Sequence, residues 1–328
     1  MIDQRLEKIK QWLTVEVDLK EFSVEPASED ASFRRYFRVY QRDKTLIVMD
    51  APPDKEDCRP FIEIATGLSA LGLNVPRIIQ SSPEQGFLLL SDLGTRLYLN
   101  ELTDITVDAL YRDAMASLLK LQTAAQYHDI GLPIYDETLL LNEMVLFRDW
   151  YLIRHLKVTI DDSWKKILDD VFELLVENAL EQPQVWVHRD FHSRNLIVTS
   201  DNNPGILDFQ DAVIGPVTYD LVSLLRDCYK AWPQDRLEHW IREYISMSES
   251  SGLFSNVSER QYCRWFDLMG LQRHLKAIGI FSRLKYRDNK PGYMLDIPRT
   301  IQYVIKVTAI YPELSAFNHQ LSRVAANA

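Results

Sequence analysis

The chain has 328 residues, of which 46% are hydrophobic and 26% are charged. This composition excludes a disordered or fibrous chain, and the length is sufficient for about two lobes that each bury a core. The 47 acidic and 37 basic residues give a net charge of −10, which disfavours binding to nucleic acid or to an anionic membrane.

The cysteines and the first residues of the chain indicate the cellular compartment. Cys58, Cys228 and Cys263 are odd in number and widely spaced, which fits neither a disulfide framework nor a cysteine zinc site. Residues 1–13 carry a charge every few positions, where a signal peptide needs an apolar core. No later stretch approaches about 18 uncharged apolar residues. We therefore expect a cytoplasmic protein with reduced thiols.

The first third of the chain combines short apolar runs with one helical repeat. Two apolar runs on either side of a polar turn at residues 40–44 indicate a hairpin. Apolar residues at three- and four-residue spacing before Gly72 indicate a helix. The predicted strands are Phe33–Val39, Thr45–Met49, Val75–Ile79 and Phe87–Leu90, and the predicted helix is Arg59–Leu71.

From residue 105 onward, long amphipathic patterns predict a mainly helical lobe. The predicted helices are Val107–Ala125, Leu139–Leu156 and Ser163–Leu180. Between them and the C-terminal part, three short apolar runs predict strands at Val185–Val187, Leu196–Val198 and Gly205–Leu207. The change of pattern at residues 92–96 predicts a domain boundary that divides the chain into residues 1–93 and 94–328.

The segment VWVHRDFHSRNLIV, followed by GILDFQD, carries the strongest chemical signal. Asp190 and Asn195 have the D-x-x-x-x-N spacing of a kinase catalytic loop, in which the Asp accepts a hydroxyl proton and the Asn amide binds Mg²⁺. Asp208 opens a DF pair at the end of the next predicted strand, where a kinase carboxylate binds Mg²⁺. The sequence therefore predicts Asp190 as the base, and Asn195 and Asp208 as metal ligands.

A zinc site formed by His188 and His192 is the competing interpretation, since their i, i+4 spacing would suit a helix. The residues before them have the pattern of a strand, so the two rings would not share a helix face. We interpret His188 as a structural residue that braces the loop.

These motifs resemble the aminoglycoside phosphotransferase and choline kinase superfamily, and the resemblance extends across nearly the whole chain. Residues 214–221, IGPVTYDL, are similar to the superfamily's segment after the metal Asp, in which Asp220 would support the catalytic loop. The resemblance implies an α+β, two-lobed, protein-kinase-like fold with a small β-rich N-lobe and a larger, mainly helical C-lobe. It also implies ATP and Mg²⁺ as cofactors.

The resemblance assigns nucleotide binding to residues 1–93 and catalysis with acceptor binding to residues 94–328. The segment ASFRRYFRV would approach the phosphates, and FLLLSDLG would contact the base through backbone groups. The nucleotide residues so implied are Ser32, Arg34, Arg35, Glu63, Ser91, Asp92 and Leu93. Each arginine could equally be a solvated hairpin charge. The chain has Met49 and Asp50 near the place of the superfamily's usual strand-three Lys, so the partner of Glu63 is in doubt.

Longer strings resemble the bacterial sugar kinases that phosphorylate N-acetylmuramate and N-acetylglucosamine at the anomeric hydroxyl in peptidoglycan recycling. They are ASFRRYFRV, VMDAPPDKEDCRPF, NEM, RDWYL, HLKAIGIFSRL and YMLDIPR. The resemblance implies a small amino sugar as the acceptor and a monomer with no nucleic-acid or membrane partner. An aminoglycoside, choline or other small-alcohol kinase is the alternative, and a nucleotide-binding pseudokinase is another, because of Met49.

Three residues are the candidates for binding the acceptor. Arg194 precedes the metal-ligand candidate Asn195 in the predicted catalytic loop and could bind an anionic group. Glu143 could bind sugar hydroxyls, and Arg148 could bind a carboxylate. An exposed charged helix face is an equally good interpretation of Glu143 and Arg148. His274, Lys276 and Arg283 are further residues that could line the pocket.

Overall fold

A computed structural model describes residues 3–29, 33–125 and 130–325. The chain divides into two compact units. Unit 1 comprises Met1–Thr106 and Asn195–Asp211, and unit 2 comprises Val107–Arg194 and Ala212–Ala328. Unit 1 is built on an antiparallel sheet and unit 2 is mainly helical, which confirms the predicted α+β class.

The strands of unit 1 are β1 (Phe22–Glu29), β2 (Arg35–Gln41), β3 (Lys44–Asp50), β4 (Ile78–Ser82), β5 (Phe87–Ser91), β7 (Leu196–Ile197) and β8 (Gly205–Ile206). The first five form an antiparallel sheet of order β1-β2-β3-β5-β4. The strands β2 and β3 form the predicted hairpin. The short strands β7 and β8 pair with each other, and bridges from Ile197 to Leu97 and from Gly205 to Asn74 attach them to the rest of unit 1.

The helices of unit 1 are α1 (Gln4–Val15), α2 (Arg59–Ala70) and α3 (Tyr98–Glu101). The Asp3 side chain caps α1 by accepting hydrogen bonds from the N–H groups of Arg5 and Leu6. One face of α1 buries its apolar side chains against the sheet, because strands β2, β3 and β5 present apolar residues on that side. This cluster consists of Ile9, Trp12, Leu13, Phe37, Val39, Val48, Phe87 and Leu89.

Unit 2 packs its helices around one long, buried helix, α9. Side-chain caps at Asp136, Asp161 and Ser258 begin α5, α6 and α9. Strands β6 (Gln184–Val187) and β9 (Val213–Pro216) form an antiparallel pair. The helices are α4 (Val107–Ala124), α5 (Glu137–Leu146), α6 (Asp162–Leu180), α7 (Tyr219–Leu225), α8 (Gln234–Ser250), α9 (Glu259–Arg287), α10 (Ile297–Ile310) and α11 (Ser315–Ala325). Among the described residues, no helix is both long and apolar enough to cross a membrane.

The structure differs from the sequence prediction at several places. Helix α1 and strand β1 were not predicted, and β4 begins at Ile78 rather than at Val75. The predicted helix over residues 139–156 is an α-helix only to Leu146 and then continues as a π-helix over Phe147–His155. The nine residues of this π-helix are too few for apolar periodicity to separate it from the α-helix that it continues.

Gly279 allows α9 to approach the junction between α5 and the π-helix. A Cβ at this position would clash with the carbonyl carbon of Leu146 and would lie 2.5 Å from the amide nitrogen of Phe147. Both contacts are with backbone, so relief requires that a whole helix shifts. We predict that Gly279→Ala lowers the free energy of unfolding by roughly 3 kcal/mol, as measured by urea denaturation.

Gly270→Ala in the same helix is the matched control. Its Cβ would meet a terminal nitrogen of the Arg226 side chain at 3.2 Å, and side chains adjust more easily than backbone. We expect a change below about 1 kcal/mol, because the better helix propensity of Ala offsets the tight contact. A Gly279→Ala variant as stable as wild type would contradict the close approach.

Candidate active site

The predicted catalytic loop follows β6 and is held by a buried carboxylate. Oδ2 of Asp220 accepts a hydrogen bond from the His188 N–H at 2.6 Å, and Oδ1 accepts one from the Arg189 N–H at 3.0 Å. Arg189 has a φ of +75°, a conformation that a residue with a side chain adopts only at a cost. The two hydrogen bonds to Asp220 offset that cost, and Asp220 therefore has the supporting role that the resemblance implied.

A second buried carboxylate, that of Asp227, holds the far end of the same loop. Its Oδ2 accepts hydrogen bonds from the N–H and the hydroxyl of Ser193, the first at 3.0 Å. Its Oδ1 accepts one from the Tyr229 N–H at 2.9 Å. The loop is therefore fixed at both ends by side chains from outside it.

The Glu143 side chain is buried and forms the centre of an ionic network. It pairs with the guanidinium of Arg189 and, at 3.0 Å, with Nζ of Lys276. The Tyr135 hydroxyl donates to it, and Gln272 Nε2 donates at 3.3 Å. Burial would raise the pKa of Glu143, but the charges of Lys276 and Arg189 lower it below the ordinary value. Glu143 is thus ionised and tied to the residue that precedes Asp190.

Asp190 lies on this loop with 38% of its side chain exposed. Burial would raise its pKa, but electrostatic interactions with Lys276, His192 and Arg273 outweigh that effect and lower the pKa below the ordinary value. The Asp190 N–H donates to His188 Nδ1 at 3.2 Å, which is the bracing role expected for that histidine. The geometry presents an ionised carboxylate, partly open to solvent, on a rigid loop.

The two predicted metal ligands lie together in unit 1. Asn195 Nδ2 donates to Asp208 Oδ2 at 3.3 Å, and Gln210 Nε2 donates to Asp208 Oδ1 at 2.8 Å. Asp208 has a φ of +64°, which marks a strained position of the kind found at functional sites. The buried Oε1 of Gln210 has no hydrogen-bond partner among the described residues.

This donor set suits a hard cation. A carboxylate and amide oxygens are the ligands that Mg²⁺ prefers. In the described parts of the chain, no group of three or more His, Cys, Asp or Glu side chains could share a metal ion. A cation bound by Asp208 and Asn195 would therefore complete its coordination with water and phosphate oxygens, as Mg²⁺ commonly does.

The residues predicted to bind phosphate have different surroundings. Arg35 pairs with Asp3 and with the fully buried Asp50, whose second partner is Arg5. The Arg35 guanidinium is thus engaged by two carboxylates in unit 1. Arg34 is half-buried at the start of the hairpin, and Ser32 lies outside the described residues.

The structure also locates the other nucleotide candidates in unit 1. Glu63 is exposed on α2 and forms no ion pair with any residue in the described ranges. Asp92 pairs with Arg38 through two hydrogen bonds of 2.7 and 3.2 Å. Burial would raise the pKa of Asp92, but Arg38 lowers it. The Ser91 N–H donates to the Arg77 carbonyl at 2.9 Å, so it is occupied within the sheet. The Leu93 side chain packs beside Gly205 of β8.

The three acceptor candidates lie in unit 2 and differ in exposure. Glu143 is buried in the network described above, whereas Arg148 is half-exposed and pairs with its neighbour Asp149 at 2.7 Å. Arg194 has 39% of its side chain exposed and lies over the ring of Tyr229. Sequence reasoning missed Asp227, Gln210 and Tyr229. The signal for Asp227 was a charged residue within the apolar segment LVSLLRDCY, since a buried charge needs a partner.

Residues 23–255 match the profile of the phosphotransferase enzyme family. A protein of Pseudomonas aeruginosa named N-acetylmuramate/N-acetylglucosamine kinase is 47% identical over 303 residues, which cover 90% of this chain and 87% of the relative. A protein of Pseudomonas putida with the same name is 42% identical over 336 residues, covering 99% and 98%.

Solved structures with the same fold are more distant in sequence. An ADP-bound aminoglycoside phosphotransferase superposes with a TM-score of 0.60 at 17% identity, covering 92% of this chain and 98% of that one. A choline kinase of Streptococcus pneumoniae superposes with a TM-score of 0.62 at 13% identity, covering 92% and 100%. These similarities confirm the predicted protein-kinase-like fold.

The support of the loop by Asp220 predicts a pH dependence of stability. Burial raises the pKa of Asp220 to about 7, against the opposing effect of the two N–H donors. The folded state therefore binds this proton more tightly than the unfolded state, and the stabilisation is lost as the pH rises through 7. The quantity to compare is the free energy of unfolding of wild type minus that of Asp220→Asn. We predict that this difference is smaller at pH 8 than at pH 5, by roughly 1 kcal/mol or more.

Urea denaturation of both proteins at the two pH values measures this difference, and the comparison cancels the titration of all other groups. If the difference instead grew with pH, the two N–H donors would dominate over burial.

Proposed function

The chain belongs to the phosphotransferase enzyme family, and on that premise we propose that it is an ATP-dependent kinase of N-acetylmuramate and N-acetylglucosamine. The names of the relatives at 47% and 42% identity support the substrates. The observation that carries the proposal is the ionised Asp190 on a loop fixed by Asp220 and Asp227. A group that positions and deprotonates an acceptor must itself be held rigidly.

In the proposed reaction, the acceptor hydroxyl oxygen forms a bond to the γ-phosphorus of ATP, and the bond from that phosphorus to the β-γ bridging oxygen breaks. The bonding electrons leave with ADP, and the hydroxyl proton passes to Asp190. Asp190 is a weak base because its pKa is lowered, which suits a loose transition state in which the proton leaves late.

Asn195 and Asp208 would hold Mg²⁺, which when bound compensates the charge of the phosphates. We assign the nucleotide to the residues predicted within 1–93, among them Arg34 and Arg35. Arg35 would have to give up its pairs with Asp3 and Asp50 to bind a phosphate. Backbone groups of Asp92 and Leu93 remain our candidates for contact with the base, and Glu63 remains a candidate for nucleotide binding.

We propose the anomeric hydroxyl as the attacked group, in a cytoplasmic monomer that serves peptidoglycan recycling. The support is the resemblance of the long sequence strings and a chemical argument. A hemiacetal hydroxyl is more acidic than an ordinary sugar alcohol, so a carboxylate of low basicity such as Asp190 can accept its proton. Arg148 and Arg194 are the acceptor-binding candidates that have exposed guanidinium groups. Glu143 would act on the acceptor only through its neighbours.

Asp190→Asn tests the role of the base. We expect kcat to fall by about 10²- to 10⁴-fold, the usual size of a general-base contribution, while ATP binding is nearly unchanged. Kinetics with a coupled ADP assay and nucleotide titration measure the two quantities. Asp113→Asn, a carboxylate on α4 in unit 2, is the control and should retain full activity. Near wild-type turnover by Asp190→Asn would exclude it as the base.

The choice of acceptor is tested by ADP release with N-acetylmuramate, N-acetylglucosamine, choline and kanamycin. We expect turnover of the two acetylated sugars and none of the other two compounds. Phosphorus NMR of the product should show a sugar 1-phosphate, and a methyl glycoside with a blocked anomeric oxygen should not react. A 6-phosphate product would refute the anomeric assignment. Nucleotide binding without turnover of any acceptor would indicate a pseudokinase.

A further inference from the structure

Arg194 presents hydrogen-bond donors that no described residue accepts. Its guanidinium carbon lies 3.7 Å above the ring centroid of Tyr229 and 5.8 Å from that of Tyr293. The nearest carboxylate oxygen, Oδ2 of Asp296, is 3.8 Å away, beyond hydrogen-bonding distance. Among the described residues, the guanidinium donates no hydrogen bond. Stacking on an aromatic ring holds the plane of the group and leaves its N–H edge available.

The charges around Arg194 leave an excess of positive charge. Asp296 also pairs with Arg299 at 3.1 Å, so two guanidinium groups share one carboxylate. Arg299 also donates a hydrogen bond to the Cys228 carbonyl oxygen at 2.6 Å. The three side chains of Arg194, Arg299 and Asp296 together carry one net positive charge, within a protein whose net charge is −10. A site of this kind favours an anionic ligand.

The same group of side chains reaches the predicted base. His192 Nε2 lies 4.0 Å from Asp190 Oδ1, and the His192 ring packs edge-on against Tyr229 with centroids 5.3 Å apart. Tyr229 in turn contacts Phe281, whose ring stacks on Tyr293 at 5.7 Å. Asp190 and Arg194 thus border one aromatic cluster within unit 2. An acceptor whose hydroxyl lies at Asp190 would place its substituents over this cluster.

We propose that Arg194, oriented by Tyr229 and Tyr293, binds the carboxylate of the acceptor's lactyl ether and so determines selectivity for N-acetylmuramate over N-acetylglucosamine. The inference rests on the proposed function and adds a residue that distinguishes its two substrates. These sugars differ only in that ether, which carries one negative charge. A planar guanidinium can hold both carboxylate oxygens through two parallel N–H bonds.

The alternative anion is a phosphate of the nucleotide. The carboxylate is favoured because every described partner of Arg194 belongs to unit 2, as Asp190 does. The nucleotide candidates, which lie within residues 32–93, and the metal candidates Asn195 and Asp208 all belong to unit 1. Of these, only Asn195 is a neighbour of Arg194 in the chain.

The inference is tested by comparing three substrates in wild type and in a variant. Values of kcat/KM are measured for N-acetylmuramate, for its lactyl carboxamide and for N-acetylglucosamine, with wild type and Arg194→Ala. We expect the ratio of kcat/KM for N-acetylmuramate to that for the carboxamide to fall about 10- to 100-fold in Arg194→Ala. Arg194→Lys, which retains charge but loses the planar fork, should recover only part of this ratio.

Arg154→Ala is the matched control, because Arg154 is exposed in the same unit and lies over a tyrosine ring, that of Tyr286, at 5.4 Å. It should leave the selectivity ratio unchanged. Tyr229→Leu should lower the ratio in the same direction as Arg194→Ala, with folding checked by circular dichroism.

The possible failures are distinguishable. In Arg194→Ala, kcat/KM could fall equally for all three sugars while the KM for ATP rises. That result would place a phosphate at Arg194 and overturn the inference, but the protein would still be a sugar kinase. Unchanged ratios in Arg194→Ala would also overturn it. If wild type turned over none of the sugars, the proposed function would fail, and this inference would fail with it.

Discussion

The hydrogen bonds from the His188 and Arg189 N–H groups to Asp220 are the constraint on which the site depends. They hold Arg189 in a left-handed backbone conformation, at a bend in the chain just after β6. That bend sets where the Arg189 side chain meets Glu143 and where Asp190 lies. Asp227 then fixes Ser193 at the other end. Both carboxylates are buried away from water, so their oxygens depend on the hydrogen bonds that they accept from these protein groups.

Cations buried in unit 2 set the ionisation of Asp190, the predicted base. The protein is acidic overall, yet Lys276 and Arg273 on α9 are buried close enough to Asp190 to lower its pKa. Lys276 is retained in the interior because it pairs with Glu143 and donates to the Tyr219 hydroxyl at 3.0 Å. A lowered pKa makes Asp190 ionised but weakly basic. Catalysis by such a group depends more on orientation than on proton affinity.

Local patterns predicted the β2-β3 hairpin, α2, α4, α6 and the short strands around the catalytic loop, because each buries one regular face. They failed for β1, whose segment FSVEPASE is polar and contains Pro26. β1 is an edge strand, where proline is tolerated because the backbone along one side needs no neighbouring strand as a hydrogen-bond partner.

The family profile and the relatives support the kinase class to which Asp190, Asn195 and Asp208 were assigned from their spacing, while their individual roles stay predictions. The burial of Glu143 was not predictable, because α5 is apolar on most sides and its sequence does not indicate which face meets α9. Interactions between residues distant in sequence, such as those of Asp227 with Ser193 or Tyr229 with Arg194, leave no periodic signal.

The ion pairs of Asp50 give the first helix a role that the family profile does not include. The match begins at residue 23, yet Arg5 on α1 neutralises one oxygen of a carboxylate with no solvent exposure at the end of β3. The same helix supplies Ile9, Trp12 and Leu13 to the core of the sheet. A protein trimmed to the profile would uncover that apolar surface and leave Asp50 with Arg35 alone. The minimal folding unit is therefore larger than the segment shared across the family.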